Sequence, residues 1–181
     1  MEYELALSKQ LLLEYDFLGG LVVRFKEFLQ FYKMEQQPVW ASSKPREFVA
    51  DLAHAIDVDI PGHFAVEEKT LFPLMETDGY GEIVEILRKD HKKILETAKT
   101  ILPIVSKLLY EAAPLTPPEW ELLHGQVNAL VTDLLAHAGR EEEAIKPALE
   151  NIFDESQGEE VYQRYQRIAE AYQAIHKKTV T

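Results

Sequence analysis

The chain has 181 residues, with an apolar share of 46% and a charged share of 28%, so it can build one globular core and is not compositionally disordered. Its formal net charge of -12, spread along the chain, argues against nucleic acid or an anionic membrane as partner, since both select clustered Lys and Arg. Cysteine is absent, which excludes disulfides, thiolate catalysis and Cys-based zinc or iron–sulfur centres.

Helical periodicity predicts the first element from about Tyr3 to Tyr32, with Leu11, Tyr15, Leu18, Val22, Phe25, Leu29 and Tyr32 on one apolar stripe. The opening MEYELALSKQ is acidic where a secretory signal would be basic. No apolar run approaches the ~20 residues that span a bilayer, so the sequence reads as cytoplasmic. MEQQPVWASSKP breaks the pattern as a loop. A second helix starts near Pro45 and carries Phe48, Leu52, Ile56, His63, Glu67, Leu71 and Leu74. Pro61 and Gly62 should kink it or split it.

TDGYG ends that helix. The third places Val84, Leu87, His91, Ile94, Ala98, Ile101, Val105 and Leu108 on one stripe, with Pro103 a candidate bend. After APLTPPEW, in which Thr116 is a plausible N-cap, the fourth carries Val127, Leu130, Leu134, His137, Glu141 and Ala148. A fifth follows DESQGEE, where Ser156 and Glu159 have capping-box spacing; its stripe is Val161, Tyr165, Ile168, Tyr172 and Ile175. The fold class expected is all-α: an up-down four-helix bundle over residues 1–153 with an accessory C-terminal helix over 154–181. That last helix is a candidate surface for a redox or signalling protein partner.

Three histidines fall on core stripes of three helices: His63, His91 and His137. Glu67 and Glu141 follow two of them at four residues, the spacing that places side chains on one helix face. Burying such a set without partners is costly, because an isolated carboxylate loses several kcal/mol on leaving water. A metal ion removes the conflict by accepting neutral imidazole and ionised carboxylate together. A single His-x-x-x-Glu pair on a surface would carry no such meaning. His54 and His124 lie out of phase with the stripes, His176 is near the tail, and all three read as surface residues. Glu68 and Glu142 stand a ~100° step round the helix from their neighbours and read as supporting or surface residues rather than ligands. Phe17, Phe25, Phe64 and Phe72 read most simply as core packing.

PGHFAVEEKTLFP, LRKDHKKI and LLAHAGREEEAIKP together resemble the hemerythrin-like (HHE cation-binding) family over about residues 5–150. The family pattern is a histidine in helix one, His-x-x-x-Glu in helix two, a histidine in helix three and His-x-x-x-Glu in helix four. His63 with Glu67, His91, and His137 with Glu141 match the last three. The resemblance implies two iron ions bridged by carboxylates and an oxo or hydroxo group, with manganese or a mixed pair as variants.

One departure is in helix one, where LLLEYDFL places Tyr15 at the histidine position. A phenolate there could bind ferric iron; alternatively the phenol stays protonated and donates a hydrogen bond to a ligand. Two octahedral metals offer about twelve positions, of which two glutamates and three histidines fill seven. Such an open, carboxylate-rich shell favours redox chemistry with dioxygen, peroxide or nitric oxide, in sensing, scavenging or stress response, over reversible carriage. Two other functions compete: an iron- or oxygen-responsive interaction module without turnover, and a degenerate bundle that holds no metal.

Overall fold

The structure is a computed structural model that describes residues 18–111, 114–152, 161–168 and 170, with side chains 146, 147 and 149–152 outside that description. It is an all-α helical bundle, and no described helix is long and apolar enough to cross a membrane. Helix α1 covers 18–31 and buries Leu21, Val22 and Phe25. Tyr15, Phe17, His176 and the Ser156/Glu159 pair lie outside the described residues.

The second helical run passes through α2 (Ser43–His54), α3 (Ile60–Val66) and α4 (Phe72–Thr77), joined by π-helical turns at Ala55–Asp59 and Glu67–Leu71. The run is therefore divided twice, not only beside Pro61. The second division falls just before Pro73. Each proline lacks an N–H and presses its ring on the carbonyl four residues back, which costs about 3 kcal/mol in a regular α-helix. A π turn widens the helix at that point: the Ile60 N–H bonds back to Ala55 and the Phe72 N–H to Glu67. Beyond Thr77 the chain turns at Gly79, whose φ of 92° suits glycine. The Tyr80 N–H reaches the Met75 carbonyl at 2.9 Å and the Gly79 N–H reaches Glu76 at 3.5 Å, the paired bonds of a Schellman cap.

Helix α5 (Gly81–Glu111) is continuous through Pro103, which lies on its exposed side. All eight residues of its predicted stripe are buried. Their three-and-four spacing keeps one seam facing inward for the whole length of the helix. Helix α6 (Pro117–Ile152) begins after Thr116, whose backbone N–H and hydroxyl both donate to Glu119 Oε2, at 2.8 and 2.7 Å. Helix α7 (161–168) buries Val161 and Tyr165.

Buried apolar side chains form two clusters. The larger joins α1, α2, α3, α5 and α6, and includes a Phe28–Phe48 stack at 3.5 Å and an edge contact of Trp40 with Trp120 at 5.7 Å. Its far end is tied by Gln37, which donates to the Leu115 carbonyl at 2.9 Å and accepts from the Leu115 N–H at 3.1 Å. The indole of Trp120 donates to the Met34 carbonyl at 2.9 Å. The smaller cluster contains Val66, Leu71, Phe72, Met75, Val84, Leu87, Ile145, Ala148, Val161 and Tyr165. Between the two clusters lies a layer of buried histidines and glutamates.

Candidate metal centre

Each member of that polar layer is carried by a helix whose apolar stripe fixes its direction. His63 is in the last turn of α3, and Glu67 opens the π turn that follows. His91 takes the place of an aliphatic residue between Leu87 and Ile94 on α5. His137 and Glu141 continue the seam of α6 beyond Leu134. All five side chains are buried.

Glu67, His91, His137 and Glu141 each present a ligand-type atom within 4.8 Å of the others, the one such group of three or more found among the described residues. Glu67 stands between two imidazoles, with Oε1 3.4 Å from His63 Nε2 and Oε2 3.2 Å from His91 Nε2. Glu141 Oε1 is 2.7 Å from His137 Nε2. His63 thus joins the group through Glu67 rather than as a member of its tightest part. His91 Nε2, both His137 ring nitrogens and Glu141 Oε1 are buried without a well-formed hydrogen bond. Buried polar atoms are ordinarily satisfied, and four that are not, around one small volume, need a partner of another kind.

A cation fits that requirement. Two ligands about 2.1 Å from one ion and at right angles to each other lie about 3 Å apart, close to the separations found here. The donors are imidazole nitrogen and carboxylate oxygen without thiolate, a set suited to iron, manganese or zinc.

Aromatic rings wall the layer. Phe64 stacks on His91 at 3.8 Å and 8° and meets His137 edge-on at 5.2 Å. Phe72 covers the other side of His91 at 5.3 Å. Since Phe64 belongs to the larger apolar cluster and Phe72 to the smaller, His91 is the point where the two meet.

This environment fixes the charge states. Burial, then the nearby His137, His63 and Arg88, push the His91 pKa down to about 2. His91 is therefore a neutral imidazole with a lone pair to give. Burial works to raise the Glu141 carboxyl, but contact with His137 and the proximity of His63 outweigh it and hold the group below its ordinary value. Neutral imidazole beside ionised carboxylate is the protonation pattern a metal ion needs.

Glu68 is half-buried beside the layer and meets His91 Nδ1 at 2.8 Å, while Glu142 is exposed. Asp90 was not singled out by the sequence. Its Oδ2 is 3.6 Å from His137 Nδ1 and accepts from Arg140 Nε at 2.7 Å. Its position next to His91 was the available signal, but its contacts join α5 to α6 and only the tertiary structure supplies them. His54 is exposed, 3.4 Å from Asp59, as its phase implied. His124 corrects the surface reading: its ring is half-buried, packs edge-on against Trp120 at 5.3 Å, and has a buried Nε2. The four-residue step from Trp120 carries it partly inward.

A family model described as "Hemerythrin HHE cation binding domain" matches residues 23–149, with a second, overlapping match over 82–178. Comparison with curated proteins and with solved structures gave no match.

Proposed function

The chain belongs to the hemerythrin HHE cation-binding family, and from that premise we propose that it is a non-haem iron protein whose buried centre holds two ions and reacts with dioxygen, peroxide or nitric oxide. The observation that carries this reading is the convergence of Glu67, His91, His137 and Glu141, all buried, within 4.8 Å of one another. His63, His91 and His137 are the imidazole ligands in this account, and Glu67 and Glu141 the carboxylates. Glu67 supports a pair of ions rather than one, because its two oxygens face different histidines, His63 and His91. Tyr15 remains the proposed helix-one contribution.

Bound iron would supply one-electron chemistry toward a small oxidant. The protein's own contribution is to keep the His91 imidazole neutral, to hold the Glu141 carboxylate ionised, and to bury the site behind Phe64 and Phe72. That aromatic wall restricts the centre to small reactants. Mixing iron-loaded protein with excess hydrogen peroxide or nitric oxide distinguishes the roles. Repeated consumption supports a scavenging enzyme, and a single stoichiometric spectral change supports a sensor. No spectral response to either ligand or to dioxygen would overturn the reading.

A further inference from the structure

His91 is flanked at both ring nitrogens by carboxylates of adjacent residues. Glu68 Oε1 stands 2.8 Å from Nδ1 in hydrogen-bond geometry. Glu67 Oε2 stands 3.2 Å from Nε2, where no hydrogen bond forms. The two glutamates open the π turn Glu67–Leu71, so the widened backbone is the platform from which neighbouring carboxylates reach opposite edges of one imidazole.

We infer that Glu68 is a positioning residue: it holds His91 in the tautomer protonated at Nδ1, and so aims the Nε2 lone pair into the buried layer. A neutral imidazole carries one proton, and the nitrogen with the well-aligned carboxylate keeps it. Phe64 stacks on the ring at 3.8 Å and Phe72 at 5.3 Å, which hinders ring reversal.

Glu68 is held in turn from the surface. Arg88 Nη1 lies 3.9 Å from Glu68 Oε2, Arg88 Nη2 lies 3.3 Å from Glu76 Oε1, and the guanidinium covers the Phe72 ring at 5.2 Å. One arginine thus braces both the carboxylate and the ring that confine His91. His137 has no equivalent support. Asp90 is 3.6 Å from its Nδ1, and the same Asp90 oxygen already accepts from Arg140 at 2.7 Å. The two imidazoles are therefore held unequally, and His91 is the preorganised one.

The consequence for metal affinity rests on the proposed function, but the tautomer does not, and the test separates them. Two-bond nitrogen–proton correlation spectra of uniformly ¹⁵N-labelled, metal-free protein report the tautomer of each ring. Wild-type His91 is expected as Nδ1–H. Glu68→Gln, whose amide oxygen still accepts, should keep that form. Glu68→Leu should move His91 to Nε2–H or to a mixture, with His137 unchanged. A wild-type His91 protonated at Nε2, or a folded Glu68→Leu protein with the tautomer unaltered, would overturn the inference. If the Leu variant does not fold, the wild-type and Gln spectra decide.

Cobalt(II) titration of the same proteins reads the consequence: affinity should fall about ten- to hundredfold in Glu68→Leu, the range found when such supporting partners are removed, and less in Glu68→Gln. A wild type that takes up no metal would refute the proposed function and leave the tautomer assignment standing.

Discussion

Acid should destabilise the metal-free protein through His91, by an amount that follows from its surroundings. The folded-state pKa is depressed to about 2, chiefly by burial, from an ordinary value of 6.5. Below pH 6.5 the unfolded chain binds a proton that the native protein refuses. The stability at stake is fully present above pH 6.5 and declines as pH falls toward the folded value. At ~1.4 kcal/mol per pH unit for one proton, the loss reaches about 2 kcal/mol by pH 5. Glu141, also held below its ordinary value, adds a loss of the same sign at lower pH.

Replacing His91 by Leu removes the titrating group and leaves an apolar side chain between Phe64 and Phe72. Urea unfolding in the presence of chelator, at pH 7 and pH 5, isolates the contribution, because exposed acids titrate alike in both proteins. Wild type should lose about 2 kcal/mol more than His91→Leu, roughly 1 M in urea midpoint. Equal losses would refute the claim that this imidazole is buried and held neutral.

Iron(II) at a hundredfold excess over its Kd should stabilise wild type by about 2.7 kcal/mol, raising Tm by roughly 5–10 °C under anaerobic calorimetry. Glu141→Ala should abolish that rise. Phe64→Ala should cost about 3–5 kcal/mol in chemical denaturation, because Phe64 is fully buried against His91 and the larger cluster. Gly79→Ala should cost about 1 kcal/mol or more, since its φ of 92° disfavours a Cβ, and should leave metal uptake unchanged.

Periodicity was a sufficient guide wherever the helix stayed regular. The α5 stripe from Val84 to Leu108 is buried residue for residue, because no proline faces its seam and the spacing holds for 31 residues. The polar members of the core were legible for the same reason: His91, His137 and Glu141 interrupt stripes that would otherwise be aliphatic. The second helical run was legible only in part. A fixed 3.6-residue period cannot register a π turn, so Leu71 was placed on the buried stripe but the burial of Thr70 beside it was not foreseen. Pro73 carried the local signal, but its neighbours did not say whether the helix would break or widen. Glu68 was set off the ligand axis by its phase, yet its contact with His91 joins residues 23 apart in sequence. The Asp90–Arg140 pair likewise depends on how α5 and α6 pack.

Elemental analysis reaches the central claim most directly. Protein loaded with iron(II) without oxygen, then desalted, should retain close to two irons per chain, while His91→Leu and Glu141→Ala retain far less. Wild type that emerges without iron, or variants that keep as much as wild type, would contradict the assignment of these buried side chains to a metal.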